Sequence, residues 1–201
     1  MKRIVLASSN PGKLRELASL LRPLDLELVS QGSLGVRAPE ETGTTFLANA
    51  LLKARHAARG TGLPALADDS GLEVDALGGR PGVWSARFAG ASDEENLRRL
   101  LEELEDVPDA ARQARYQCVI ACVHAADDPA PLIASGTWEG RIAREPRGSG
   151  GFGYDPVFVP VGQTLTAAQL PAGQKNAVSH RAQALHALVA SLAREGYIAA
   201  P

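Results

Sequence analysis

The chain has 201 residues, of which 45% are hydrophobic and 22% are charged, a length that suits a single domain over residues 1–201 with a sizeable core. Its formal net charge of −2 excludes a broad basic surface for binding nucleic acid. No apolar run approaches the ~18 residues of a membrane span, and the N-terminus reads as a strand rather than a signal peptide, so we expect a cytoplasmic protein with no membrane partner.

The first predicted elements are a strand and a helix joined by a short polar loop. Residues 4–7 form an apolar strand, and apolar residues spaced three and four apart from Leu14 to Leu21 indicate the helix. Free backbone N–H groups and the positive end of the helix dipole make such a junction a site for an anion. The loop residues that would contribute are Ser8, Ser9, Asn10, Pro11, Gly12 and Lys13. The alternative is an ordinary capped first helix with a solvated lysine.

A second helix is predicted after an acidic segment. The apolar residues from Phe46 to Ala58 fall within one arc of a helical wheel, and a threonine at 44 or 45 can cap the helix. Asn49 and Lys53 lie four residues apart at one edge of that arc, from which Lys53 could reach into a cleft. A lysine there more commonly extends to solvent, and the glutamates at 40–41 are also ordinary partners of a helix dipole.

The most informative stretch is Asp68-Asp69-Ser70-Gly71, which lies between two apolar runs. Asp is depleted in strands, and a buried carboxylate needs a partner to offset its desolvation. Two adjacent carboxylates repel each other unless a cation lies near them. The segment therefore predicts a strand end that presents carboxylates to a divalent metal, and the alternative is a polar turn between two strands.

The remaining pattern predicts an α/β fold. Ser92 and Glu95 form a capping box for a third helix, and long strands follow at about 113–125 and 132–143. A last helix begins near Ser179. The alternation of strands and helices indicates a mixed, twisted central sheet with flanking helices.

A glycine-rich segment at 148–153 matches the G-x-G-x-x-G spacing of dinucleotide-binding sites. Two prolines follow, and residues 154–159 read as extended rather than helical, so we reject a dinucleotide site. The glycines would let the backbone approach a ligand, and Phe152 and Tyr154 offer faces for stacking a base. The alternative is a glycine-rich hairpin with core aromatics.

These segments, in this order, resemble the inosine/xanthosine triphosphate pyrophosphatase family from about residue 4 to about residue 190. The matching motifs are Ser8–Lys13, Glu40–Phe46 with Asn49 and Lys53, Ala67–Leu72, Leu77–Gly82 with Ser85–Phe88, Gly151–Pro156, and Lys175 with Ser179–Arg181. The first motif reads Ser8-Ser9-Asn10 where many relatives have Thr-Gly-Asn, which preserves a hydroxyl and the Asn.

The resemblance implies two lobes around a nucleotide cleft, a homodimer, and hydrolysis of the purine nucleoside triphosphates ITP, dITP and XTP between the α and β phosphorus. It makes Asp69 the base for the attacking water, with Asp68 in support. Mg²⁺ would be held by Asp69 with Glu40 or Glu41. The groups that would neutralise the triphosphate are Asn10, Lys13 and Lys53.

The resemblance also implies which residues bind the nucleoside. Ribose and base would contact Ser70, Phe152, Gly153, Tyr154 and Asp155; the base would be recognised by Lys175, expected in a polar loop, and by His180 and Arg181 at the start of the last helix. One alternative is a Maf-like pyrophosphatase for other modified nucleotides, which would lack this last set. Another is a nucleotide sensor without activity, which would have no reason to keep a carboxylate pair.

Overall fold

The computed structural model describes residues 2–8, 12–14, 17, 21 and 26–196. These residues contain a six-stranded sheet with the order β2-β1-β3-β4-β5-β6. The strands are β1 (Lys2–Leu6), β2 (Leu26–Ser30), β3 (Ala65–Val74), β4 (Gln113–Val123), β5 (Leu132–Ile142) and β6 (Phe158–Pro160). Strand β1 is parallel to both β2 and β3, whereas β5 and β6 are antiparallel. The predicted mixed sheet is confirmed.

Four complete α-helices lie within the described residues, and two of them begin at predicted caps. They are α1 (Phe46–Thr61), α2 (Asp93–Glu103), α3 (Ala172–Val178) and α4 (His180–Arg194). The Thr45 side chain caps α1, and the capping box of Ser92 and Glu95 begins α2. In the first predicted helix, residues 12–14, 17 and 21 are helical, and the predicted cap and the rest of that helix lie outside the described residues. Among the described residues, no helix has both the length and the apolar character to cross a bilayer.

The chain divides into two compact units. The first comprises Met1–Asp69, Cys118–Gly136 and Arg181–Pro201, and the second comprises Ser70–Gln117 and Thr137–His180. Each unit has its own buried apolar clusters.

In the first unit, helices cover both faces of the sheet. Leu66 of β3 packs in one cluster with Leu17 and with Leu185 of α4. Ala65 and Ala67, on the opposite face of β3, pack against the alanines of α1, such as Ala54. This division follows from strand geometry, because successive side chains point to opposite faces. Small alanines on both sides let α1 approach the sheet closely.

In the second unit, aromatic rings fill the core around β4 and β5. Tyr116 and Phe158 have ring centroids 4.7 Å apart, and Trp138 and Phe158 have centroids 5.3 Å apart. The guanidinium of Arg112 is buried beside this core and donates hydrogen bonds to the carbonyls of Leu104, Ile142 and Ala143. These bonds tie the end of the α2 segment to β5.

Three local predictions were wrong. Strand β3 does not end at the aspartates but continues through them to Val74. Residues 154–157 form turns, and only Phe158–Pro160 are extended. Lys175 lies in α3 rather than in a loop. In each case contacts or local hydrogen bonds outweigh the weak propensity of the sequence for the predicted structure. In α3, for example, the Ser179 N–H donates a hydrogen bond to the Lys175 carbonyl.

Candidate active site

The two adjacent aspartates of β3 point to opposite faces of the sheet. Asp68 is two residues from Leu66 and so points to the same face of the sheet, which α4 covers. Asp69 is two residues from Ala67 and points to the opposite face, which α1 covers. Both side chains are buried. Each carboxylate therefore has its own set of cationic or polar partners, which removes the need for one cation between them.

Asp68 is held by two cations of the first unit. Its Oδ2 lies 3.0 Å from Lys13 Nζ and 3.5 Å from Arg181 Nε. Burial by itself would raise the pKa of Asp68, but the charges of Lys13, Arg181 and Lys53 outweigh it and hold that pKa well below its usual range. Asp68 is therefore a permanent anion at neutral pH.

Asp69 is bound by two side chains of α1. Its Oδ1 accepts a hydrogen bond from Lys53 Nζ at 2.8 Å, and its Oδ2 accepts one from Asn49 Nδ2 at 3.1 Å. Burial raises the pKa of Asp69 above its usual value, and Glu41 adds to that effect, although Lys53 and Lys13 oppose it. The two neighbouring carboxylates thus have pKa values displaced in opposite directions.

Lys53 lies between two carboxylates. Its Nζ is 2.7 Å from Glu41 Oε1 and 2.8 Å from Asp69 Oδ1. Burial would lower the pKa of Lys53, but Asp69, Asp68 and Glu41 together raise it, so the ammonium stays charged. Of the two predicted glutamates, Glu41 makes this contact, and Glu40 is exposed.

Asn49 connects the acidic segment to the aspartate, a role that the sequence analysis did not assign. Its Oδ1 accepts a hydrogen bond from the Gly43 N–H at 2.8 Å, while its amide donates to Asp69. A Cβ at Gly43 would lie 2.5 Å from Asn49 Oδ1, so this close approach requires glycine. The four-residue spacing of Asn49 and Lys53 was the available signal, since it places both on one face of α1.

The predicted phosphate loop is described only in part. Ser8 is half-buried and lines a cavity of about 510 Å³ together with residues such as Leu14 and Gln31. Gly12 and Lys13 are helical. The other predicted loop residues, Ser9, Asn10 and Pro11, lie outside the described residues.

The carboxylates of the first unit suit a hard divalent cation. Glu41 Oε1 and Asp69 Oδ1 converge on one point, since both lie within 2.8 Å of the Lys53 ammonium. Across the described ranges, no group of three or more His, Cys, Asp or Glu side chains is arranged to hold a metal. Mg²⁺ is commonly bound by only one or two carboxylates, with waters and substrate phosphates as the other ligands, so the pair fits that ion.

A second polar cluster lies in the second unit. Asp155 Oδ2 accepts hydrogen bonds from Lys175 Nζ at 2.7 Å and from the Phe152 N–H at 2.9 Å. The Lys175 ammonium is 5.0 Å from the centre of the Phe152 ring, which is half-buried. Asp155 thus orders both the lysine and the glycine-rich turn, and a Cβ at Gly151 would collide with its carboxylate.

Tyr154 does not offer the predicted stacking face. It is 3% exposed, belongs to the core cluster, and donates a hydrogen bond from its hydroxyl to the Ser85 carbonyl at 2.8 Å. Burial raises the pKa of Tyr154. The neighbouring Gly153 N–H donates to Asp93 Oδ2 at 2.7 Å. Asp93 is the first residue of α2, and no role was predicted for it.

The other predicted residues have simple positions. Ser70 lies half-buried in β3, and His180 and Arg181 are both buried at the start of α4. The His180 ring lies parallel to the ring of Tyr116. No sequence signal pointed to Tyr116, because its partner is distant in the chain.

The charged groups of the first unit can bind a polyanion and move a proton. Three cations, Lys13, Lys53 and Arg181, are balanced there by three carboxylates. Buried charge-assisted contacts of this kind are strong because little water screens them. Asp69, whose pKa is raised, is the carboxylate best suited to take a proton.

Comparisons with known proteins agree on one family. The model of the Ham1 family matches residues 4–191. A dITP/XTP pyrophosphatase of Shigella flexneri is 57% identical over 194 residues, which cover 96% of this chain and 98% of that protein. A HAM1 protein from Coxiella burnetii has a solved structure with a TM-score of 0.90 and 53% identity, covering 96% of this chain and 100% of the other. The Ham1 protein of Staphylococcus aureus has a TM-score of 0.86 and 40% identity, over 96% and 100% of the two chains.

Proposed function

This chain belongs to the Ham1 family, and on that premise we propose that it hydrolyses the nucleoside triphosphates ITP, dITP and XTP to a monophosphate and pyrophosphate. It is an enzyme, a nucleoside triphosphate pyrophosphatase, as its relatives named dITP/XTP pyrophosphatase are. The observation that supports this best is the pair of adjacent buried aspartates with separate cationic partners, Lys13 and Arg181 for Asp68 and Lys53 for Asp69.

The cations bind and polarise the triphosphate. Hydrolysis of a phosphoanhydride demands little covalent chemistry of the protein, so positioning and charge neutralisation dominate. Lys13 and Arg181 are held in place by Asp68, and Lys53 is held by Glu41. Cations already fixed in this way need little reorganisation as negative charge develops on the leaving pyrophosphate.

Asp69 acts on the attacking water. A general base works best when its pKa lies near the working pH, and burial raises the pKa of Asp69 in that direction. The pKa of Asp68 is lowered instead, so this carboxylate stays ionised. When two neighbouring groups have pKa values shifted in opposite directions, one can act as the base while the other stays a fixed charge. Asn49 and Lys53 orient the Asp69 carboxylate through one oxygen each.

Mg²⁺ is the cofactor that we propose, held by Asp69 and Glu41. When bound, it supplies positive charge to the phosphate oxygens and lowers the pKa of a coordinated water. The donor chemistry supports the assignment, because carboxylate oxygens are hard ligands and Glu41 and Asp69 both lie beside Lys53.

The second cluster recognises the base. Phe152 supplies the stacking face, and the side chains of Lys175 and His180 supply donors for the 6-keto oxygen that ITP and XTP share. ATP carries an amino group at that position, so a donor would be left unpaired. A site built to pair with one pattern can reject the other by about 10⁴-fold. Arg181, which was predicted to recognise the base, is assigned to the phosphates instead, because it lies beside Asp68.

We assign Ser70 and Gly153 to the sugar and base, and we propose a cytoplasmic homodimer.

A panel of nucleoside triphosphates tests this function. The wild-type protein is incubated with dITP, XTP, dATP and dGTP plus Mg²⁺, and monophosphate, pyrophosphate and orthophosphate are separated by ion-exchange chromatography. We expect one pyrophosphate per monophosphate, a strong preference for dITP and XTP, and loss of turnover with EDTA that Mg²⁺ restores. Orthophosphate as the first product, or equal kcat/KM for dITP and dATP, would contradict the proposal.

A further inference from the structure

His180 is the first residue of α4, and its side chain is buried. Its preceding residue, Ser179, is extended (φ −65°, ψ 158°) and ends α3. The torsion that rotates an imidazole about its Cβ–Cγ bond is broad, because it joins a tetrahedral to a planar atom. A donor on this ring therefore points in one direction only if something outside the backbone fixes its plane.

Tyr116 of β4 supplies that constraint. The centroids of the Tyr116 and His180 rings are 4.7 Å apart and their planes differ by 9°, the geometry of a stacked pair. Both residues are buried, at 8% and 3% exposure. A parallel ring stacked on this face of the imidazole disfavours its rotation out of that plane.

Tyr116 is itself fixed on its other side. Phe158 packs against it at 4.7 Å with planes tilted by 59°, and Trp138 packs against Phe158 at 5.3 Å and 55°. Such tilted and stacked contacts are the favourable arrangements for aromatic pairs. The four rings form a row that begins in the core of the second unit and ends at His180.

We propose that Tyr116 is a positioning residue for base selection, acting through the His180 ring. The proposal rests on the function above, in which His180 donates to the 6-keto oxygen. Tyr116 holds the imidazole in the plane that aims this donor, and it does not itself touch the reacting phosphates. The contact energy of an aromatic pair corresponds to a change of about 2- to 12-fold in an equilibrium constant, and we expect the effect on base selectivity to be of that size.

The measured quantity is the selectivity ratio, kcat/KM for dITP divided by kcat/KM for dATP. Tyr116→Leu removes the stacked ring, and we expect the ratio to fall by about 10-fold, chiefly through a higher KM for dITP. Tyr116→Phe keeps the ring and should retain the ratio within about 2-fold. Leu100→Ala is the matched control, because it truncates a buried side chain of the same core cluster that is not one of the four rings. It should lower the thermal midpoint and leave the ratio unchanged.

A double-mutant cycle with His180→Ala tests the route of the effect. If Tyr116 acts through His180, adding Tyr116→Leu to His180→Ala should cause no further fall in the ratio. An unchanged ratio in folded Tyr116→Leu, an equal loss on both substrates, or a further fall in the His180→Ala background would each overturn the proposal. Should Tyr116→Leu not fold, Tyr116→Met replaces it, because flexible Met fills irregular core space.

The wild-type measurement separates this proposal from the one it rests on. A wild-type protein that releases no pyrophosphate from dITP overturns the proposed function and the role of Tyr116 with it. An active, dITP-selective wild-type protein whose ratio is insensitive to Tyr116→Leu overturns only the role of Tyr116.

Discussion

Asp68→Asn should destabilise the protein strongly although it changes only one atom of the side chain. Asp68 is fully buried and lies 3.0 Å from Lys13 and 3.5 Å from Arg181. At an effective dielectric constant of ~20, unit charges 3.0 Å apart attract by about 5 kcal/mol, much of which offsets the desolvation of the ions. Removing one partner leaves two cations close together without their anion, and such losses are typically ~3–5 kcal/mol.

The expected loss is large enough to measure directly. In a chain of this length, ~3–5 kcal/mol corresponds to a fall in the thermal midpoint of about 6–20 °C. The midpoint is followed by circular dichroism at pH 7 for wild type and Asp68→Asn. Glu27→Gln is the matched control, since Glu27 pairs with Arg3 at 2.7 Å on the surface and should change the midpoint little.

The pH dependence gives a second, independent test. The folded-state pKa of Asp68 lies below the ordinary value of 3.8, so its stabilisation is present above that value and is lost as the pH falls below it. The difference in thermal midpoint between wild type and Asp68→Asn should therefore stay constant from pH 7 to about pH 5 and shrink only as the pH is lowered through and below 3.8. A midpoint shift no larger than that of Glu27→Gln, or a difference that does not change with pH, would refute the reasoning.

Two further substitutions test the chemistry. Asp69→Asn should lower kcat by about 10²–10⁴-fold while keeping much of the nucleotide affinity, because Asn keeps the shape but cannot accept the proton; near wild-type single-turnover rates at saturating Mg²⁺ would remove Asp69 from the mechanism. Lys13→Ala should weaken binding of a triphosphate far more than binding of the monophosphate, because the lysine meets the outer phosphates at the helix start. Calorimetric titrations that show equal losses for both ligands would limit Lys13 to a structural role as the partner of Asp68.

The fold was predictable where local patterns and tertiary packing agree. The caps at Thr45 and Ser92 and the apolar arc of α1 predicted helices that the structure contains. Lys175 was assigned wrongly because α3 is only seven residues long and polar, which is too short for helical periodicity to appear. The turns at 154–157 were read as extended because prolines and aromatic residues resemble a strand edge.

The candidate site was predictable as a set of residue types but not as a set of contacts. The motifs and their resemblance to one family named Lys53, Asp68 and Asp69 together, and their catalytic roles stay predictions. The sequence left open whether Glu40 or Glu41 reaches this group, since both are adjacent acids before the same helix. Only the folded chain brings Glu41 to within 2.7 Å of Lys53.

The sequence by itself determined the family, the class of fold and the kind of chemistry, because those depend on the order and identity of motifs along the chain. The tertiary structure decided which cations contact which of the two aspartates. Strand alternation sends Asp68 and Asp69 to opposite faces, where Lys13 and Arg181 contact the first and Lys53 contacts the second. Burial and these unequal partners displace the two pKa values in opposite directions, an effect that depends on distances between residues far apart in the chain.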